Sequence, residues 1–250
     1  DHGWRMAFQL LGGVGIVVAA TAWIMIREPA REPVAKADRT PLTVLANGLV
    51  RARSLRNMTV GMGLGTLSGV SFGLWGPALF ERAYGLSNAE AGTAFAVSFG
   101  LPGLFGMLAF GFAADRMARG GVHRPLLLAA GALFAATALI QIATWAPELW
   151  MARALAIPAG LLGGGWSIGI VAALQYVLPE RDRATGTALG LLVVSMFGNL
   201  LGPWVTGHLS DVFGGGSVGG LRIGLTLMIP TGFIGALLVW RSAATLQADR

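Results

Sequence analysis

The side chains best suited to chemistry in this sequence are neutral. Ser68, Ser71 and Trp75 share one helical face; Ser98, Trp166, Ser167, Gln175, Ser195 and Asn199 follow, each inside a stretch with no Asp, Glu, Lys or Arg. Hydroxyl and amide groups donate and accept hydrogen bonds, and indole rings add apolar contact area. None of them is a general base, and a serine without one is a weak nucleophile. With 0 Cys and 3 His in 250 residues, neither a thiolate site nor a histidine cluster is expected, and no metal, cofactor or catalytic residue is predicted. A membrane enzyme would need His, Asp, Glu or Ser groups converging at one depth, and nothing in the sequence converges.

Charge collects instead at the ends of these stretches, as in Asp115, Arg116 and Arg119, or Glu180 to Arg183. Two other patterns involve glycine and proline. Gly61, Gly65, Gly69 and Gly73 recur every fourth residue and leave a bare groove where another backbone approaches closely. The Gly61-Met62-Gly63-Leu64-Gly65 run is not a phosphate loop, because it follows no strand and lacks the P-loop lysine. Pro77, Pro102, Pro158, Pro203 and Pro230 each interrupt an apolar stretch, as happens where membrane helices line a cavity.

The elements that must position these residues are read from charge-free runs: Met6 to Ile26, Asn57 to Phe80, Ala91 to Ala114, Pro125 to Pro147, Ala154 to Pro179, Ala184 to Gly207 and Ile223 to Trp240. A hydrocarbon core of about 30 Å needs roughly 20 helical residues, so seven spans are expected. Continuous apolarity favours helices over barrel strands, which alternate. The composition agrees: 54% hydrophobic and 12% charged, against about 25% charged in soluble domains. The net charge of +6 would suggest nucleic acid in a soluble protein, but here it divides by loop and no nucleic-acid partner is expected. Of 18 Lys and Arg, all but Arg5, Arg82, Arg153 and Arg222 fall on one side of the predicted membrane. That excess places the linker and C-terminus in the cytoplasm and the N-terminus outside.

The first residues, Asp1-His2-Gly3-Trp4-Arg5, read as a fragment or half of a longer protein rather than a signal peptide. Residues 27–56 form a basic linker in which Leu42, Leu45, Leu49 and Ala52 share a helical face. The linker is expected to be either a helix lying on the membrane surface or a disordered connector. Gly111-x-x-x-Asp115 and Gly207-x-x-x-Asp211 end the third and sixth spans on opposite sides, as an inverted repeat of spans two to four and five to seven requires. His208, at the outer end of its span, reads as interfacial.

Four segments carry a family resemblance: Gly3-Trp4-Arg5-Met6-Ala7-Phe8 running to Arg27-Glu28-Pro29; Gly111 to Arg119, with Ala118 where glycine is usual; Leu178-Pro179-Glu180-Arg181-Asp182-Arg183-Ala184; and Gly202-Pro203 with Gly207 to Asp211. They resemble the C-terminal half of a major facilitator superfamily transporter, beginning just before the sixth of twelve helices. Trp75 to Phe80, Gly85 to Gly92 and Gly198 to Pro203 are most similar to bacterial spinster-like members, a branch associated with lysolipid and sphingoid-phosphate transport. Multidrug exporters and organic-anion transporters share much of the pattern.

The resemblance implies an all-α integral membrane fold of seven transmembrane helices: one leading helix and a six-helix bundle built as a 3+3 inverted repeat. Residues 1–26 would be the last helix of the N-terminal half, 27–56 the linker, 57–240 the bundle and 241–250 a cytoplasmic tail. It further implies rocker-switch alternating access for a small amphipathic or lipid-like solute in the cell inner membrane. Ser71, Trp75, Ser98, Trp166, Ser167, Gln175, Ser195 and Asn199 would line the substrate cavity, and Asp115, Arg116, Arg119 and Arg183 the inner gate. For each polar cavity residue, interhelical hydrogen bonding is an equal alternative. The implied partners are a small-molecule substrate, the bilayer and the N-terminal half. Coupling as symporter or antiporter would fall to that half, since no acid or base lies within a span. A membrane sensor or scaffold on the same fold is the alternative function.

Overall fold

A computed structural model describes residues 3–26 and 40–246. Contacts divide the chain into two units, residues 1–39 and 40–250. The first contains α1 (Gly3–Met25), an apolar helix in which the Thr21 hydroxyl donates to the Val17 carbonyl at 2.8 Å. The linker residues 27–39, Lys36 among them, and the last four residues lie outside the described set.

The second unit contains α2 (Leu42–Arg51), α3 (Arg53–Tyr84), α4 (Asn88–Phe95), α5 (Leu101–Ala118), α6 (His123–Thr144) and α7 (Leu149–Gly165). After these come α8 (Ile168–Val177), α9 (Arg183–Val194), α10 (Gly202–Gly214), α11 (Val218–Met228) and α12 (Thr231–Thr245). Among the described residues there is no strand. Among the described residues six helical runs are long and apolar enough to cross a membrane: Phe8–Met25, Asn88–Ala118, His123–Thr144, Leu149–Val177, Glu180–Gly214 and Val218–Thr245. The remaining expected span is α3, whose 32 residues extend about 48 Å at 1.5 Å per residue. Its glycines and serines lower its hydropathy, and they suit its place against α10, α11 and α12 in the middle of the bundle.

Four of the spans are composite. Segments of π-helix, Ala96–Gly100 and Ser195–Leu201, join α4 to α5 and α9 to α10. Each lies just before a proline near the start of the next helix, Pro102 and Pro203. Proline lacks an N–H and its ring clashes with the carbonyl four residues back, here Ser98 and Asn199, so the ladder widens. Thus Leu101 N–H reaches the Ala96 carbonyl, five residues away. The other two breaks are turns, at Trp166–Ser167 after the Gly163-Gly164-Gly165 run and at Ile229–Pro230. The break thus falls in the same span of each three-span set for the π segments, and in spans five and seven for the turns.

Helix ends follow local chemistry. Gly85 (φ 65°) closes α3 in the left-handed region that favours glycine. Ser87 and Glu90 then form a capping box: Glu90 Oε2 accepts from the Ser87 N–H at 2.9 Å, and Ser87 Oγ accepts from the Glu90 N–H at 3.4 Å. In the linker, α2 buries Leu45 and Leu49 against α3 and α9, while Leu42 stays exposed.

The bundle has two apolar cores at opposite ends. One gathers Leu49, Met58, Met62, Leu126, Ile170 and Val239; the other gathers Phe72, Phe80, Phe95, Ile140, Leu221 and Ile229. Between them, backbones touch through glycine. A methyl group on Gly106 would run into the Leu161 backbone, one on Gly160 into Phe99 and one on Gly164 into Gly103, so α5 and α7 are in backbone contact. On α3, a methyl on Gly61 would meet the Gly235 carbonyl of α12 at 2.9 Å.

Candidate functional site

A cavity of about 400 Å³ lies at the waist of the bundle, between the two cores. Gly65, Ser68, Gly69 and Gly73 of α3 form one wall, and Gly160, Gly163 and Gly164 of α7 face them. Leu133, Thr137 and Ile140 of α6 close the back; Phe99 and Gly100 flank the side from the π segment. Trp166, at the break between α7 and α8, and Ser167 complete the lining. Trp166 is buried and packs so closely on Gly65 that a methyl there would lie 2.7 Å from its ring. No Asp, Glu, Lys, Arg or His lines this space, so it offers apolar contact and neutral hydrogen bonds.

Of the residues expected to form the cavity, Trp166 and Ser167 lie in it. Ser98 is buried on the far side of the π segment, donates to the Ala94 carbonyl at 2.7 Å, and lines a separate cleft of about 510 Å³ with Glu90 and Arg153. Ser71 is also buried and donates to its own helix, at the Leu67 carbonyl, 2.6 Å away. Trp75 Nε1 donates across to the Pro203 carbonyl at 2.9 Å, with Gly207 opened beneath its ring. Trp75 therefore joins α3 to α10 by a hydrogen bond, whereas Ser71 only packs against Gly202 of α10. Gln175, Ser195 and Asn199 are exposed on the outside of the unit. Back-bonding to the carbonyl four residues earlier satisfies a buried hydroxyl without any partner helix, an option that counting faces along the sequence does not reveal.

The residues expected at the inner gate sit at helix ends. Asp115, Arg116 and Arg119 close α5, all exposed, and among the described residues none has a side-chain hydrogen bond or ion pair. Arg183, at the start of α9, lies 3.6 Å from Glu180 and donates from Nε to the Leu178 carbonyl at 3.3 Å. Its neighbour Asp182 is buried and accepts from the Thr40 hydroxyl at 3.0 Å, fastening the start of the second unit to the α8–α9 loop. Among the described residues no three His, Asp or Glu side chains converge.

Sequence reasoning missed Thr137 and the part played by Gly69 and Gly163. Thr137 belongs to the run Pro125 to Pro147, which supplied none of the expected cavity residues, yet α6 forms the back wall. The Gly163-Gly164-Gly165 run beside Trp166 was the available signal. Ser68, grouped with Ser71 and Trp75 on one face, separates from them. It lines the cavity at 1% exposure, and its hydroxyl has no hydrogen-bond partner.

The chain is 30% identical to an MFS-type efflux pump of Mycolicibacterium smegmatis across 99% of its own length and 58% of that protein. It is 26% identical to protein spinster homolog 1 of Bos taurus, across 83% of this chain and 43% of the relative. Crystal structures of a bacterial homolog to the human lysosomal transporter Spinster share its fold. The inward-facing unoccupied form matches with TM-score 0.71 at 23% identity, and the occupied form with 0.73 at 22%; both cover 99% of this chain and about 60% of the other. The chain thus spans about half the length of the curated relatives it matches. The family model of the Major Facilitator Superfamily matches residues 1–194, so the chain belongs to that superfamily of multi-pass membrane transport proteins, which is not an enzyme class.

Proposed function

We propose that this chain supplies the C-terminal half of a secondary active transporter, with α1 as the last helix of the N-terminal half. The solute is small and amphipathic or lipid-like, and it crosses by alternating access as the two halves rock about a central site. The observation that carries this reading is the uncharged cavity at the waist, walled by glycine and closed by Trp166. Such a wall receives the apolar body of a solute, and a charged headgroup is left to the N-terminal half, because burying an unpaired charge against it is too costly. The name of the mycobacterial relative, an MFS-type efflux pump, agrees with a transport role.

In this reading residues 27–56 are a cytoplasmic linker with α2 lying along the inner membrane surface, 57–240 the bundle and 241–250 a cytoplasmic tail. Asp115, Arg116, Arg119 and Arg183 work at the inner gate, where Asp115 caps a helix of the other half and the arginines meet acids or lipid phosphates. Ser195 and Asn199, exposed on this unit, face the central space. Proton or ion coupling belongs to the other half. The test is flux in proteoliposomes. The full-length protein should transport an amphipathic solute saturably, and the 250-residue chain by itself should not. Saturable flux from the chain alone sinks the two-half reading.

A further inference from the structure

Helix α2 presents three rows of side chains to three different surroundings. Leu45 and Leu49 are buried against α3 and α9. In the adjacent row Leu42, Ala46 and Val50 recur every fourth residue, which keeps them on one face. All are exposed, Leu42 at 59% and Val50 at 63%. Beyond them lie Thr43, Asn47 and Arg51, polar and also exposed. An uncovered apolar row between a packed row and a polar row suits a helix set where bundle, hydrocarbon and water meet.

Charge collects at the C-terminal end of the same helix. Arg51 and Arg53 are exposed, and among the described residues their side chains make no hydrogen bond or ion pair. Arg56 Nη1 donates to the Val50 carbonyl at 3.4 Å and so closes the elbow at Ala52 between α2 and α3. No Asp or Glu occurs from Thr40 to Arg56, and the charge-free run of α3 begins at the next residue, Asn57. The arginines therefore stand where the chain enters the bilayer, within reach of lipid phosphates.

The other end of α2 is tied to the loop between α8 and α9. Just ahead of the helix, the Thr40 hydroxyl donates to the buried Asp182 carboxylate at 3.0 Å. Arg183 follows directly, bonded to the Leu178 carbonyl and 3.6 Å from Glu180.

We propose that α2 binds the anionic phospholipids of the leaflet it lies on and passes that attachment to the Arg183 loop. Leu42, Ala46 and Val50 enter the acyl region, Arg51 and Arg53 take the phosphates, and Thr40 and Asp182 act as positioning residues that hold the loop to the helix. This rests on the placing of α2 along the inner membrane surface and adds the lipid it selects and the loop it steadies.

The test uses the full-length protein, freed of any cysteines, in nanodiscs of phosphatidylcholine with or without phosphatidylglycerol. A nitrobenzoxadiazole fluorophore at Ala46→Cys should be quenched by spin labels on the acyl chains, and more strongly with phosphatidylglycerol. At Thr43→Cys or Val44→Cys, on the far side of the helix, it should not. Arg51→Gln and Arg53→Gln should each lower the ratio of membrane-bound to free α2 about fivefold, the attraction of one arginine to an anionic leaflet. Amide hydrogen exchange across residues 178–183 should slow severalfold when phosphatidylglycerol is present. That response should vanish in Thr40→Val and Asp182→Ala and return in Asp182→Asn, which keeps an acceptor for the Thr40 hydroxyl. Quenching at Ala46→Cys that ignores phosphatidylglycerol leaves α2 on the membrane and overturns its choice of lipid; equal quenching at all three positions overturns the apolar row. Loop exchange indifferent to lipid charge overturns the link to Arg183. Neither readout needs a solute: both responses without flux reject the transport reading and leave this one, and flux with neither response does the reverse.

Discussion

The seam between α5 and α7 and the gap between α3 and α7 are both faced with glycine, and they end in opposite states. At the seam, Gly103, Gly106, Gly160 and Gly164 bring two backbones into contact. Across the gap, Gly69 and Gly163 face open volume while Trp166, Leu133 and Thr137 bound it. Glycine removes a side chain in both places; what differs is whether another helix moves in to fill the space. At the seam, dispersion contacts between backbones drive association, the main source of helix pairing where lipid removes the hydrophobic term.

Substitutions on the two sides should therefore separate sharply. The largest effect is expected at the seam. Gly106→Ala places a methyl in the Leu161 backbone, and overpacking of this kind should cost about 3 kcal/mol or more. Reversible unfolding in mixed micelles checks it, and an unchanged midpoint would mean that α5 and α7 are not in backbone contact. An intermediate effect is expected where α3 meets α10. Trp75→Phe removes the bond to the Pro203 carbonyl and should cost about 1 kcal/mol; the same unfolding series measures it, and a loss as large as that of Gly106→Ala would place Trp75 in a more demanding role than joining helices. The smallest effect belongs to the gap. Gly69→Ala should leave stability unchanged or raise it by up to about 1 kcal/mol, the ordinary helix-propensity gain. A destabilisation comparable to that at the seam would erase the distinction between the two glycine sets.

Much of the fold is legible in the sequence because transfer into hydrocarbon depends on each segment's own composition. The charge-free runs at residues 91–114 and 125–147 coincide closely with helices for that reason. The prolines at 102 and 203 were visible too, but their consequence was not. A missing N–H can kink, break or widen a helix, and neighbouring packing selects which; here two π segments result. The site was less legible. Ser68, Ser71 and Trp75 lie at spacings that share a face, yet Ser71 turns to its own backbone, Trp75 to Pro203 and Ser68 to Gly232 of α12. A shared face spans a wide arc of the helix surface, and several helices pack within that arc.

The sequence by itself determined that this chain lives in a bilayer as a series of helices, that its spans carry no fixed charge, and which superfamily its end-of-span motifs match. Those are properties of residues taken one segment at a time. Only the tertiary structure decided which of the α3 glycines close a contact and which keep a space open, and which neighbour each of Ser68, Ser71 and Trp75 meets. Each of those outcomes depends on what a second helix places opposite, and α6, α7 and α12 come far later in the chain than the residues they face.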